Sequence, residues 1–436
     1  MGRRLALAAV ALAALCLLAG CNALLSDRAD PATDRLGWEN GYWAEDSLSV
    51  TTEDGLNESE REAVVSRTMA RVERIRGLEF EESVPVSVIT RAQYRANNSD
   101  SDDGGAYGEW NNQVWEALFL VGENRDVSAA FDSTLGSTVQ GYYSPSKGAI
   151  VIVSDAETPT IDRATLAHEL VHALQDQHYG LGGSPDFQDT QLAHRGVTEG
   201  DANYVQQLYE RRCGEQWSCL PRPERSTGGR TNDFDVGVFV TIYTPYAVGP
   251  RFVAERHQRE GWGAVNDLYD RYPNSTEQII HPEKYPDEEP LDVRVRDRSN
   301  GRWNRFGLQR PAYDVVGEAS IYAMFRATDR ITDGAVYEYD HRISAGWGGD
   351  KLVPYRNGDR YGYVWATEWD TREDAREFVT AHRAILDERA SRQPDADTYV
   401  LPDSDPFGDA FRVTRSGKRV VIVNGPTVDS LDGIHG

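Results

Sequence analysis

Two histidines and a glutamate occur in the spacing His-x-x-x-His, with the glutamate directly after the first histidine, at His168, Glu169 and His172. On a helix, residues four apart leave the same face one turn apart, so both imidazoles can reach one ion. This arrangement suits two ligands of a tetrahedral zinc ion. Glu169 can then act as general base toward a water molecule at the metal. The alternative interpretation is a helix with two surface histidines.

A third histidine, His178, follows His172 by six residues, the distance at which one class of zinc peptidases places its third ligand. That class has a glycine that breaks the helix, but this chain has Gln175 at the corresponding position. If the helix continues, six residues rotate His178 by about 240° from His172. We therefore expect His178 not to bind the metal.

A glutamate on the next helix is the better candidate for the third ligand. Glu199 follows His172 by 27 residues, which leaves room for one loop and a returning helix. It would complete a His2Glu site whose fourth position is open to water. Asp201 or Asn203 could hold a ligand histidine from behind. The alternative for Glu199 is a charge that only stabilises the N-terminal part of a helix.

The HExxH motif followed by a glutamate on the next helix resembles the gluzincin peptidases. More closely, the stretches HELVHALQDQH, EGDA and STEQIIHPEKY resemble a group of HExxH-bearing surface lipoproteins from halophilic archaea. The resemblance implies a zincin-like fold and a surface location. It also implies that a tyrosine or histidine from a later segment stabilises the oxyanion. His281 and Tyr285 are the candidates, and the alternative is a turn in which both side chains are merely packed.

The hydrophobic patterns predict an α+β fold. We expect a zincin-like domain over residues 58–293, with a helix over 58–78, a strand over 84–90, a hairpin over 140–155 and helices over 161–179 and 190–212. This places a mixed sheet upstream of the HExxH helix, and strand 149–153 is expected to hold an extended peptide. Residues 294–436 are expected to form a C-terminal α+β unit with antiparallel hairpins.

The N-terminus has the features of an export signal. Residues 1–21 combine Arg3 and Arg4 with an apolar run of about 15 residues, too short to span a bilayer, and end in Leu-Ala-Gly-Cys. This ending resembles a lipobox, so we expect a lipidated Cys21, an acidic tether over 22–57 and a location at the extracellular face of the membrane. The alternative is an uncleaved anchor helix or a plain signal peptide. The sequence does not decide between the Sec and the twin-arginine export route.

Outside the cell, Cys213 and Cys219 are expected to form a disulfide, since they are the two cysteines that remain after the signal and the lipid site.

The net charge of −24 argues against nucleic acid as the main partner, because phosphate binding needs a basic surface. Only four of the 46 basic residues are lysine, and this scarcity favours adaptation to high salt over cation storage.

The sequence therefore predicts a lipid-anchored, zinc-dependent metalloendopeptidase that acts on a peptide or protein substrate. The alternative is a non-catalytic surface lipoprotein with a structural or vestigial zinc site, used for binding or envelope maintenance. The sequence does not indicate an oligomeric state.

Overall fold

The computed structural model describes residues 31–51, 55–97, 105–135, 139–154, 161–222 and 234–436. Within these ranges the chain is α+β, as predicted, with α-helices and three β-sheets. Cys21 and the predicted signal segment lie outside the described residues. The helices are α1 Glu58–Arg76, α2 Arg91–Asn97, α3 Ala106–Ala117, α4 Val127–Leu135, α5 Arg163–Tyr179, α6 Gln188–Arg212, α7 Val236–Glu260, α8 Trp262–Asp270, α9 Thr276–Ile280, α10 Gly317–Ala327, α11 Arg372–Arg389 and α12 Val428–His435.

The strands form three sheets. Two short strands pair with each other near the start, three form a small sheet before α5, and seven form a sheet in the C-terminal third. The strands are β1 Trp38–Glu39, β2 Tyr42–Trp43, β3 Val86–Thr90, β4 Gly141–Ser144, β5 Ala149–Ser154, β6 Asn304–Arg305, β7 Trp347–Asn357, β8 Arg360–Trp369, β9 Arg392–Asp395, β10 Thr398–Val400, β11 Ala410–Ser416 and β12 Arg419–Gly425. No helix in the described part of the chain is both long and apolar enough to cross a bilayer.

The three-stranded sheet upstream of the HExxH helix is mixed, as predicted. Strand β5 lies in its centre, parallel to β3 and antiparallel to β4. The prediction that strand 149–153 holds an extended peptide is wrong, because both edges of β5 are already hydrogen-bonded to neighbouring strands. Within the described residues, the edge strand of this sheet that contacts α5 is β4.

The HExxH helix α5 has clear start and stop signals. The Asp162 side chain accepts hydrogen bonds from the backbone N–H groups of Ala164 and Thr165, which caps the helix at its N-terminus. The helix ends at Gly180, whose φ of 72° favours glycine. Helix α6 follows after a short loop, and its end is closed by a disulfide between Cys213 and Cys219, which confirms the predicted pairing.

Helices α6 and α7 cross at three glycines. A Cβ atom at Gly200 would lie 2.6 Å from the carbonyl carbon and oxygen of Gly249, and one at Gly249 would lie 2.2 Å from the carbonyl oxygen of Gly196. Only glycine permits such a close approach of two helix backbones. This crossing sets the position of α7 over the part of α6 that carries Glu199.

The seven-stranded sheet has the order β6-β7-β8-β12-β11-β10-β9 and contains the predicted antiparallel hairpins. Helix α11 packs with it, and a capping box of Thr371 and Asp374 begins this helix. Many of the sheet's apolar residues, such as Trp365 and Phe411, belong to one hydrophobic cluster with side chains of α3 and α7, including Trp110 and Val240. The predicted boundary at residues 293 and 294 therefore does not coincide with a gap in the core.

Part of the predicted tether is packed against the protein. Strands β1 and β2 pair Trp38 with Trp43, and Ala44 is fully buried. Helix α1 holds this segment: Arg71 donates a hydrogen bond to the carbonyl oxygen of Ala44, and Glu73 accepts one from the backbone of Gly37.

Candidate metal centre

The three predicted ligands converge on one point. The Nε2 atoms of His168 and His172 lie 3.1 Å apart. The Oε2 atom of Glu199 lies 3.2 Å from the first nitrogen and 3.3 Å from the second. The two histidines come from successive turns of α5, and Glu199 comes from α6, which returns alongside it. The three side chains are only 12–16 % exposed.

These distances fit a zinc ion. Tetrahedral ligands at about 2.0–2.1 Å from zinc are separated from one another by about 3.3 Å. All three distances lie within about 0.2 Å of that value. Two nitrogens and one carboxylate oxygen are also the ligand set of many catalytic zinc sites, which leave a fourth position open. His168, His172 and Glu199 are therefore the residues that would hold the metal.

The charges of these groups are strongly coupled. Burial alone would lower the pKa of His172, but the carboxylate of Glu199 outweighs burial and raises this pKa to about 9. Burial would likewise raise the pKa of Glu199, but the two histidines hold it well below its usual range. Glu199 thus stays ionised, and a metal must displace the proton from His172 when it binds.

Glu169 lies beside the three ligands and is 6 % exposed. Burial raises the pKa of its carboxyl group, while His168 and His172 oppose this rise. A hydrogen bond from the backbone of Tyr143, in strand β4, also opposes it. A glutamate whose pKa is moved toward neutrality beside a metal site is suited to accept and return a proton.

The imidazole of His172 is held from behind by Gln175. The Nδ1–H of His172 donates to the side-chain oxygen of Gln175 at 2.9 Å, which leaves Nε2 free to bind a metal. The amide nitrogen of Gln175 in turn donates to the carbonyl oxygen of Thr198 and to Asp201. The prediction for Asp201 needs correction, because it reaches His172 through Gln175 rather than directly.

Asp201 is fully buried and anchors this support. It accepts hydrogen bonds from the guanidinium of Arg76 at 3.0 Å and from the hydroxyl of Tyr269 at 2.8 Å. A buried carboxylate with this many donors is held in one orientation, which in turn orients Gln175.

The predicted role of Asn203 as a support for a ligand histidine is wrong. Its amide donates to the backbone carbonyl oxygen of Glu199, one turn earlier on the same helix, at 2.8 Å.

His178 does not join the cluster, as expected. Helix α5 continues to Tyr179, and the imidazole of His178 is hydrogen-bonded to the carbonyl oxygen of Glu79 at 2.7 Å. Gln175, whose presence argued against a helix break, is instead the residue that orients His172.

Both residues predicted to stabilise the oxyanion form hydrogen bonds with groups outside the metal centre. His281 is paired with the buried carboxylate of Glu318 at 3.0 Å. Tyr285 is 8 % exposed and donates its hydroxyl to the carbonyl oxygen of Arg271. Both side chains are packed in a turn, which was the alternative interpretation.

The tyrosine at the metal centre is Tyr246, which the sequence analysis did not identify. Its hydroxyl donates to Oε1 of Glu199 at 2.9 Å, and the residue is 40 % exposed. Burial of the hydroxyl and the charge of Glu199 raise its pKa, so the phenol stays protonated and remains a donor. Tyr246 lies one turn before Gly249, so the glycine crossing places it over Glu199.

A cleft of about 760 Å³ opens over the cluster. His172, Glu199 and Tyr246 lie in its wall, and Tyr143 of the edge strand β4 lines it as well. The metal centre is therefore accessible to a molecule much larger than water.

Comparison with known families gives a match that lies outside this centre. A family described as a domain of unknown function (DUF8575) matches residues 304–435, which include the seven-stranded sheet and follow all the metal-centre residues. No curated protein matches the chain.

Proposed function

We propose that the protein is a zinc-dependent metallopeptidase with a zincin-like catalytic domain, anchored at the extracellular face of the membrane by a lipid on Cys21. The observation that carries the proposal is the mutual spacing of 3.1–3.3 Å among the ligand atoms of His168, His172 and Glu199. The adjacent buried carboxylate of Glu169 adds the base that a structural zinc site does not need.

When bound, zinc supplies a Lewis acid that polarises the scissile carbonyl and lowers the pKa of a water molecule toward 7. Glu169 accepts the proton from the attacking water and passes it to the leaving amine. Tyr246 presents a protonated hydroxyl in the same cleft, where it can donate to the oxygen that gains negative charge. Gln175 keeps His172 in the tautomer that binds metal.

The substrate is a peptide or protein segment in an extended conformation. Strand β4 is at the edge of its sheet, and its residue Tyr143 lines the cleft. A peptide that adds to this edge would form backbone hydrogen bonds and run past the metal centre.

Glu169→Gln tests the catalytic role. The substitution keeps the size of the side chain and the ligand set but removes the base. We expect the variant to bind about one zinc ion and to lose several orders of magnitude in hydrolysis of a peptide library, measured in multimolar salt. Glu199→Gln is the matched variant: it should weaken zinc binding itself, because a neutral amide is a poor ligand.

A structural zinc clip predicts a different pair of results. Glu169→Gln would then change nothing measurable, and removal of zinc would lower the melting temperature. Equal peptide cleavage by wild type and Glu169→Gln would remove the peptidase proposal.

The anchor is tested separately. Cys21→Ser should release the protein from the membrane or block its processing. Intact-mass analysis that finds the chain beginning at Met1, or an unmodified residue 22 at the mature terminus, would contradict the anchor without affecting the metal centre.

A further inference from the structure

A second cluster of potential metal ligands lies in a different part of the molecule. Carboxylate oxygens of Glu116, Glu123 and Asp409 lie within 4.8 Å of one another. Glu116 is in α3, Glu123 follows this helix, and Asp409 directly precedes β11 of the seven-stranded sheet. The cluster thus joins two segments almost 300 residues apart in sequence.

No lysine or arginine of the described segments is paired with these three carboxylates. Glu116 and Asp409 are only 3 % and 7 % exposed. Burial and the charge of Asp409 raise the pKa of Glu116 well above its ordinary value. Burial and the charge of Glu123 raise the pKa of Asp409 to about 8. Without a cation, ionisation of these carboxyl groups is therefore unfavourable.

A similar trio elsewhere in the chain shows how the fold neutralises such charges. Glu277, Glu288 and Asp370 also lie within 4.8 Å of one another. The ammonium group of Lys284 lies among them, 2.6 Å, 2.7 Å and 3.0 Å from their respective oxygens. The Glu116 cluster has the same number of carboxylates but no such internal cation within the described residues.

Independent evidence comes from buried oxygens that lack hydrogen-bond partners. Three buried oxygens near the cluster have no hydrogen-bond partner among the described residues: Oε1 of Glu116, Oε1 of Gln113 and the hydroxyl oxygen of Tyr363. Gln113 is 6 % exposed and donates a hydrogen bond from its amide nitrogen to Glu116 at 2.7 Å. Tyr363 is fully buried. Its burial is the largest cause that raises the pKa of its hydroxyl, and the charges of the three carboxylates raise this pKa further. Buried oxygens are rarely left unsatisfied unless they face an ion or water.

We propose that this cluster is a calcium site, in which the carboxylates of Glu116, Glu123 and Asp409 bind one ion. All candidate ligands are oxygens, which excludes the nitrogen and sulfur environment that zinc prefers. Two oxygens that share a calcium ion at about 2.4 Å can lie up to about 4.8 Å apart, whereas magnesium demands shorter, octahedral contacts.

The bound ion would fasten α3 to the C-terminal sheet. The backbone already makes one contact there, since the N–H of Glu123 donates to the carbonyl oxygen of Pro406. A cation that bridges Glu116 and Asp409 would favour the ionised forms of both carboxyl groups by attracting them to a common charge. Calcium is therefore expected to stabilise the folded protein without taking part in the proposed chemistry at His168 and His172.

The test uses the full-length protein, stripped with chelator, dialysed and restored with one equivalent of zinc. Calcium is then titrated calorimetrically in multimolar potassium chloride, and melting temperature is followed in parallel. We expect one saturable site in wild type and a rise in melting temperature. Glu123→Gln should weaken calcium binding at least tenfold, and because Glu123 is exposed the variant should fold normally. Asp409→Asn should have the same effect on binding.

Glu260→Gln is the matched control, since it removes one exposed carboxylate and changes the net charge equally. It should bind calcium like wild type. Absence of a saturable calcium site, or equal affinity in wild type and Glu123→Gln, would overturn the proposal. Equal affinity for magnesium and calcium would overturn the choice of ion.

Discussion

Replacement of Gly200 by alanine should weaken both the fold and the metal centre. The new Cβ atom would lie 2.6 Å from the carbonyl carbon and oxygen of Gly249 and 3.0 Å from its Cα atom. These are backbone atoms of a neighbouring helix, so they cannot move aside as a flexible side chain could. Helices α6 and α7 must therefore separate where Glu199 and Tyr246 meet.

The expected loss in the free energy of unfolding follows from this close contact. Ordinary van der Waals contacts begin at about 3.4 Å, so the helices must part by several tenths of an ångström. Such overpacking typically costs about 1–3 kcal/mol, and the better helix propensity of alanine offsets about 1 kcal/mol. We expect a net loss of about 1 kcal/mol in the free energy of unfolding. Because Glu199 shifts relative to His168 and His172, zinc affinity should fall about tenfold, or by about 1.4 kcal/mol.

Denaturant unfolding measures the free energy of unfolding, and competition with a chromophoric chelator measures the zinc affinity. Gly263→Ala is the matched control, because Gly263 is also helical but a Cβ atom there meets nothing within 4 Å. It should stabilise the protein by up to about 1 kcal/mol and leave zinc affinity unchanged. If Gly200→Ala matches this control in both measurements, the glycine crossing does not position the metal ligands.

Three further predictions concern separate features. Tyr246→Phe should lower kcat for peptide hydrolysis by about 10²–10³-fold with little change in zinc affinity, and an unchanged kcat would exclude an oxyanion role. Burial lowers the pKa of His382 to about 3, so below pH 6.5 only the unfolded chain takes up this proton. Stability is therefore lost by up to about 1.4 kcal/mol per pH unit as the pH falls from 6.5 toward 3. His382→Leu should reduce this slope in denaturant unfolding, and an identical slope would contradict the assignment. Reduction of the bond between Cys213 and Cys219 should cost about 2 kcal/mol or less because the loop is short, and a loss above about 4 kcal/mol would contradict an entropic role.

The ligand set was predictable because its geometry is local or nearly so. The spacing of His168 and His172 fixes their common face on any helix, and Asp162 and Gly180 mark the ends of that helix. Glu199 was predictable because one short loop returns α6 alongside α5. The disulfide followed from the count of cysteines.

The predictions that failed concern residues whose positions depend on contacts between distant parts of the sequence. The parallel pairing of Val86 with Ile150 makes β5 a central strand, and no local pattern reveals it. His281 is paired with Glu318, 37 residues away, which removes it from the metal centre. The available signal for Tyr246 was the pair Gly196 and Gly200 on either side of Glu199, which marks the surface where another helix must approach closely.

Residues 304–435, which match the family of unknown function, share a hydrophobic cluster with helices outside that range. Apolar side chains of its sheet, such as Trp365 and Phe411, lie in one cluster with Trp110 and Val240, which come from outside that region. Produced alone, the fragment would expose this surface to water and should aggregate or recruit another chain. We therefore expect the region to need helices encoded more than 40 residues upstream in order to fold and stay soluble.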